Sequence, residues 1–350
     1  MALFIGMAAL TGSLIAFYNV LEAMLVPELV LAAPSAPGAT TLPALRLRES
    51  TGKAFPDARI DWVDLVVPPG RAQVFFLTPR NPTRVLAQDE VFVDPYTGRV
   101  LGTRRHGDLR EGRRNLMPFV YELHESLTLG AAGGAAWLRR WRPAWRVRWS
   151  AGAAKLTFDL HRAGGLWIWA SLLVFAWSAV GFNLPPVYQA AMRAFGYIAE
   201  PDLPAVPASS HAAAAIGWDA ALAQARSLMA EQAHARCLRV LRERSLSHEP
   251  DTHAWQYRTV STLDVGRKLG NTTLFFDDAS GRLLRLSLPT GGSGANTVDT
   301  WLSELHTAGF GGTAMRAAVC ACGVLIVVLV VSGVEIWRRR RQARRRAARG

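Results

Sequence analysis

A motif that occurs twice along one chain at a nearly constant offset requires a fold built from two versions of one unit. Val91-Phe92-Val93-Asp94-Pro95-Tyr96-Thr97-Gly98-Arg99-Val100-Leu101 is matched by Leu274-Phe275-Phe276-Asp277-Asp278-Ala279-Ser280-Gly281-Arg282-Leu283-Leu284. In both, an apolar strand enters an Asp/Gly turn and leaves as a second strand. A Glu-Leu-His triplet follows each copy, Glu122-Leu123-His124 and Glu304-Leu305-His306, with glycines behind it at Gly130, Gly133 and Gly134 and at Gly309, Gly311 and Gly312. The offset is 183 residues between Asp94 and Asp277 and 182 between His124 and His306. Two unlike motifs sharing an offset identify a duplicated unit of ~180 residues.

The residues around these motifs place the chain in a membrane. Half of the 350 residues are hydrophobic, 19% are charged, and mean hydropathy is +0.12. Three uncharged apolar runs, 1–20, 163–184 and 317–334, approach the roughly 20 residues that cross a bilayer as a helix. No Lys or Arg precedes the first run, so a retained anchor is expected there rather than a cleaved signal peptide. Between the runs, segments 27–115 and 200–300 are polar, and each has the length of a small α+β domain.

A net charge of +13 raises nucleic acid as a partner, but the arginines do not spread over a soluble face. Arg338-Arg339-Arg340-Arg341 and Arg344-Arg345-Arg346 follow the last apolar run, and Arg139, Arg140, Arg142, Arg146 and Arg148 precede the middle one. Such flanks are positive-inside anchors, which puts both clusters in the cytoplasm and sets nucleic acid aside. Trp137, Trp141, Trp145 and Trp149 recur every fourth residue among the second cluster, as on a helix lying in the membrane interface and interrupted at Pro143. The three cysteines form no disulfide framework: Cys320 and Cys322 read as small packing residues of the last helix, and Cys237 stands alone in a soluble helix.

With the C-terminal arginines inside, the last helix runs inward and the middle helix starts inside. Sharing one compartment then puts both soluble segments outside. The chain has to cross back between about 116 and 138, yet 119–138 contains Glu122, His124, Glu125 and a glycine cluster. One transmembrane helix of the first copy is missing. Asp159-Leu160-His161-Arg162-Ala163-Gly164-Gly165-Leu166-Trp167 puts a His-Arg pair at the cytoplasmic mouth of the middle helix, and the equivalent His of the first copy falls before Met1. Either the native start lies upstream or this copy lacks the residue.

Each soluble half is expected to be a helix followed by an antiparallel sheet: 218–241 is helical with Ala220, Leu222, Ala225, Leu228 and Met229 on one face, 255–265 alternates as a strand, and 43–54 is the shorter helix of the first half. The Ala- and Pro-rich stretches 30–41 and 200–210 are expected as extended, mobile linkers. No nucleophile-base pair, phosphate loop, zinc signature or nucleotide fingerprint occurs, so any catalysis falls to a cofactor. An imidazole at the edge of an apolar helix either caps the helix at headgroup level or serves as a ligand. His248 and His253 are read as a solvated turn rather than a metal loop, and His106, His211 and His234 carry no signal.

Leu-His-Arg before Gly-Leu-Trp, the Asp-x-x-x-Gly-Arg turns, Glu-Leu-His-Thr-Ala-Gly-Phe-Gly-Gly, and the closing Ser332-Gly333-Val334-Glu335-Ile336-Trp337-Arg338 together resemble the PepSY-associated transmembrane family. The resemblance implies an α+β membrane protein with four transmembrane helices, three of them evident here, and two extracytoplasmic PepSY-like α+β domains. The expected division is a transmembrane helix at 1–26, PepSY-like domain 1 at 27–117, a His-containing helix with the basic Trp/Arg segment at 118–160, and a transmembrane helix at 161–188. PepSY-like domain 2 at 200–300, a His-containing entrance and transmembrane helix at 301–338, and a basic cytoplasmic tail at 339–350 complete it. The resemblance further implies a multi-pass protein of the bacterial inner membrane carrying haem b, with His306 and His124 as axial iron ligands near the outer face and His161 near the inner face; Arg162 reads equally as a propionate partner or as a positive-inside anchor. The activity implied is haem-dependent reduction of a ferric siderophore or another iron chelate, fed by an unidentified electron donor. The alternative is a non-enzymatic membrane protein whose PepSY domains bind or regulate an envelope peptidase or another partner.

Overall fold

The computed structural model describes residues 2–34, 36, 38–126, 147–150, 152–201, 203, 215–267 and 270–347. In chain order, α1 (Ala2–Ile15), α2 (Tyr18–Leu25), α3 (Pro27–Val30) and α4 (Ala44–Ala54) lead into β1 (Ala58–Arg59), β2 (Trp62–Asp64), β3 (Gln73–Phe76), β4 (Thr78–Pro79), β5 (Glu90–Val93) and β6 (Val100–Arg104). Helices α5 (Leu116–Ser126), α6 (Ala153–Trp167), α7 (Trp169–Asn183), α8 (Pro185–Arg193) and α9 (Trp218–Ala235) precede β7 (Val240–Glu249), β8 (Ala254–Ser261), β9 (Thr272–Asp277) and β10 (Leu283–Ser287). The chain closes with α10 (Gly294–His306) and α11 (Gly312–Ala347). These elements form two compact units, one of Met1–Tyr18, Val120–Gly196 and Leu305–Gly350, the other of Asn19–Phe119 and Tyr197–Glu304.

The first unit is helical. Its α11 contains one stretch long and apolar enough to cross a membrane, Gly312–Gln342. The pair α6–α7 qualifies as a second span if a 60° bend is allowed, and α1 read together with α2 as a third. The unbroken apolar composition of 163–184 gave no sign of the bend; Gly164 and Gly165 lie one turn ahead of it, and Ile168 leaves the helical region at φ −109° and ψ 7°. Helix α1 lies antiparallel to α11: the Gly6 Cα faces Val330, and the Ser13 hydroxyl is 3.4 Å from the Cys320 carbonyl. A Cβ at Gly323 would meet the Ser13 hydroxyl and, at 2.8 Å, the Ala9 carbonyl, so the backbones approach as closely as small residues permit. The bent pair is antiparallel to α11 as well, with Gly164 against Leu329 and Ser171 3.9 Å from the Cys322 sulfur. The Cys322 thiol therefore packs between helices, as expected of a small packing residue.

The second unit contains both copies of the repeated motif, and their turns are built alike. The Asp94 N–H donates to the Arg99 carbonyl and the Gly98 N–H to the Asp94 carbonyl, at 2.9 and 2.8 Å; Asp277, Arg282 and Gly281 repeat this at 2.9 and 3.0 Å. The Asp94 carboxylate accepts from the Tyr96 N–H and the Thr97 hydroxyl, as that of Asp277 does from the Ser280 N–H and hydroxyl. Gly98 and Gly281 take φ of 75° and 69°, a region that disfavours a Cβ. Gly98→Ala and Gly281→Ala are each expected to lower stability by about 1 kcal/mol, read from the denaturation midpoint.

The two soluble segments, expected as separate domains, are joined edge to edge. Strand β2 of the first pairs antiparallel with β7 of the second, giving a five-stranded sheet in the order β10-β9-β8-β7-β2, beside a three-stranded sheet β3-β5-β6. An ion pair from Arg244 to Asp64 at 2.7 Å reinforces the seam. The apolar face of α9, with Ala221, Ala225 and Met229, covers Leu246, Trp255, Tyr257, Leu274 and Phe276. This helix stops at Ala235 rather than 241, because Cys237 turns into the left-handed region at φ 53° and β7 starts at Val240.

Neither expected linker is loose where it is described. Val30 and Ala32 are buried, with Leu31 bridged to Arg71, because α3 plugs its apolar residues onto Ala72 and Phe92. Glu200 accepts from the Ser287 hydroxyl at 2.8 Å. The segment expected to hold the missing helix, and most of the Trp/Arg stretch including Arg139, Arg140, Arg142 and Arg146, lie outside the described residues.

Candidate functional site

In the helical unit, α5 and α10 each end near a histidine of the repeated triplet, and the two imidazoles meet. The rings of His124 and His306 lie 6.1 Å apart, centroid to centroid, with 65° between their planes. Two imidazoles sharing one metal ion stand roughly 6 Å apart, from about 2 Å per metal–nitrogen bond and about 1 Å from each nitrogen to its ring centre. Phe175 and Phe182 present themselves edge-on to His306 at 5.5 and 5.2 Å, which keeps the site apolar.

Hydrogen bonds fix the tautomer of each ring. His124 Nδ1 lies 3.1 Å from the Ala8 carbonyl and 3.0 Å from the Thr11 hydroxyl. A carbonyl only accepts, so Nδ1 carries the proton and Nε2 keeps its lone pair. His306 Nδ1 lies 2.7 Å from Ser178 Oγ, whose own proton goes to the Val174 carbonyl at 2.6 Å. His161 Nδ1 lies 3.0 Å from Ser332 Oγ, whose proton goes to the Leu329 carbonyl at 3.0 Å. In all three cases a hydroxyl bonded back into its own helix accepts from Nδ1–H. The nitrogen left over is the one a metal binds, and the second bond orients the ring.

Glycines give these rings room. A Cβ on Gly12 would sit 2.9 Å from His124 Cε1, and one on Gly333 would sit 2.9 Å from His161 Cε1. Thr11, Ser178 and Gly12 were not singled out in the sequence, and Ser332 and Gly333 entered only as part of the closing motif, with no role against a histidine.

His161 stands at the other end of α6–α7 from Ser178, and among the described residues no second imidazole faces it. Its neighbour Arg162 pairs with Asp159 at 3.2 Å, and Asp159 also receives a two-pronged bond from Arg148 at 2.7 and 2.9 Å. Asp159 offsets part of the positive charge of the two arginines at this end of the span, a role that the His-Arg motif alone did not reveal.

Among the described residues no group of three or more His, Cys, Asp or Glu is arranged to hold a bare metal ion. A pair of neutral imidazoles instead fits a group that brings its own equatorial ligands, as haem does with four pyrrole nitrogens. Three further histidines are bound within the soluble unit: His106 to Glu90 at 3.0 Å, and His248 to Asp278 at 2.9 Å with His253 3.5 Å from the same carboxylate. The supposed solvated turn is therefore pinned by Asp278.

The profile of the PepSY-associated TM region matches residues 1–136 and again 131–340, so its two matches divide the chain as the internal repeat does. No curated protein matches the chain. A profile covering nearly the whole sequence, with an apolar helix that can span a bilayer, makes this a transmembrane protein seated in a lipid bilayer. The chain belongs to the PepSY-associated transmembrane family.

Proposed function

We propose that this chain is a multi-pass protein of the bacterial inner membrane that uses haem b to carry electrons to an extracytoplasmic ferric chelate, such as siderophore iron. The observation that supports it most is the His124–His306 pair, two tautomerically fixed imidazoles at a separation suited to axial ligation. Haem, when bound, would supply one-electron transfer at a potential set by its axial ligands and surroundings. Thr11 and Ser178 hold the two rings, Gly12 admits His124 against α1, and Phe175 with Phe182 excludes water from His306. His161, held by Ser332, is the candidate for a second site on the opposite side, with Arg162 available to a propionate only by sharing it with Asp159.

Orientation follows from charge. The arginines at 338–346 extend α11 and favour the cytoplasm, while α1 and α6–α7, both antiparallel to α11, start on that same side. The soluble unit is then periplasmic, where it meets the iron chelate.

The test is a reduced-minus-oxidised visible spectrum of the full chain purified in detergent. Sharp b-type bands with near-stoichiometric haem are expected. A spectrum showing protein alone overturns the haem reading and leaves the binding or regulation of an envelope partner by the soluble unit as the better account.

A further inference from the structure

Where the second copy of the α+β repeat packs two tryptophans edge to face, the first copy has a cavity. The shared hairpin hydrogen bonds put the copies in one register: Gln73 stands opposite Val93, next to Asp94, as Trp255 stands opposite Phe276, next to Asp277. At the helix entrance the Leu42 N–H donates to the Pro95 carbonyl at 2.8 Å, and the Ile216 N–H donates to the Asp278 carbonyl at 2.8 Å. Two residues further on, Ala44 is therefore the counterpart of Trp218. In the second copy Trp218 and Trp255 meet edge to face, 4.8 Å between centroids, and Trp255 is 1% exposed. The first copy has a methyl group and an amide in their place.

The space this leaves is a cavity of about 160 Å³ lined by Leu42, Ala44, Leu47, Leu65, Val66 and Gln73 among others. Leu42 and Val66, 41% and 39% exposed, form its rim. An apolar cavity of about 150 Å³ is enough to take up a benzene ring. Gln73 is 1% exposed and its Nε2 reaches the Val74 carbonyl at 3.4 Å. Among the described residues lining the cavity, its Oε1 is the one buried side-chain atom without a hydrogen-bond partner. A buried carbonyl oxygen without a donor is costly, so a cavity lined by Leu42, Ala44, Leu47 and Leu65 with Thr41 and Gln73 favours a compact ring that carries a donor.

We propose that this cavity is a binding site for a planar aromatic ring bearing an N–H or O–H, of the indole or phenol class. The ring lies among Leu42, Ala44, Leu47 and Leu65, where the second copy places its own indoles, and the donor bonds to Gln73 Oε1. The site is separate from the histidine pair and does not depend on haem. Its ligand is either a free small aromatic or the side chain of an extended peptide, which present the same chemistry.

The test uses the full chain in detergent and ¹⁹F NMR of 5-fluoroindole, with protein-free micelles as the blank. A saturable, protein-dependent signal is expected, and 5-fluoro-1-methylindole, which lacks the donor, should bind roughly five- to tenfold more weakly. Gln73→Leu should erase that discrimination. Ala44→Trp, which installs the second copy's residue, should abolish binding while the thermal midpoint holds or rises. Competition by a Gly-Trp-Gly peptide at concentrations comparable to free indole identifies a peptide side chain as the source; competition by free indole alone identifies a small aromatic. Absence of a saturable signal overturns the site, as does a signal that survives Ala44→Trp. Equal binding of the methylated probe to the parent protein overturns the role of Gln73, and if Ala44→Trp does not fold, the Gln73→Leu comparison decides alone.

Discussion

His306→Ala is expected to remove the haem bands of the proposed site while leaving the protein in the membrane. The ring has one nitrogen committed to Ser178 at 2.7 Å, so the substitution deletes both the nitrogen proposed as ligand and the bond that aims it. Insertion is set by the apolar span Gly312–Gln342 beyond it, and an alanine in place of a histidine at the edge of a span does not oppose insertion. His124→Ala should act alike, because the two rings stand 6.1 Å apart and one axial ligand does not replace two. His161→Ala should do less, since among the described residues it has no facing imidazole. Ser178→Ala keeps the ligand but frees its orientation, and should weaken haem retention by about 10- to 100-fold rather than abolish it. Haem content and difference spectra of the four variants, at matched expression in membranes, check this order. If His306→Ala leaves the spectrum of the parent protein unchanged, the axial assignment is wrong.

How far the sequence reveals such a site depends on the range of the interaction. The Asp94 and Asp277 turns were legible because their backbone hydrogen bonds close within five residues, from the aspartate to an arginine and to a glycine that tolerates positive φ. The three histidines were legible as polar groups at the edges of apolar runs. Their partners were not: Thr11, Ser178 and Ser332 lie 113, 128 and 171 residues from the histidines they hold, and only helix packing joins them. The seam between β2 and β7 was hidden for the same reason. An edge strand shows its own alternation but not which other edge will satisfy its backbone. The bend at Ile168 was hidden in the opposite way, inside a run whose composition is uniformly apolar. The exchange of Trp218 and Trp255 for Ala44 and Gln73 appears only after the hairpins fix the register between the copies.

Arg104→Ala is expected to be the most destabilising single substitution in the soluble unit. Arg104 and Glu90 are each 3% exposed at the side chain, and the guanidinium bonds Glu90, bonds Glu22 at 2.8 Å, and donates to the Arg114 carbonyl at 2.9 Å. Removing the cation leaves two carboxylates in a dry site, a change that typically costs 3–5 kcal/mol, or roughly 6–20 °C in the thermal midpoint of a unit this size. The pH dependence should change sign as well. Burial pushes the Glu90 carboxyl upward, but His106 and Arg104 outweigh it and hold it below its ordinary 4.5. In the parent protein Glu90 therefore stabilises the fold above that value, and the contribution is lost as pH falls through the lowered one. Without Arg104 burial dominates, the carboxyl rises, and protonation relieves the buried charge. The deficit of Arg104→Ala measured at pH 7 should then shrink as pH falls toward about 4. Adding Glu90→Gln to Arg104→Ala should recover part of the loss at pH 7, because what is costly is uncompensated charge rather than lost contact area. Thermal unfolding followed by near-UV circular dichroism at several pH values checks both statements, and a deficit that is independent of pH would show that packing of the arginine stem, not its charge, holds this part of the unit together.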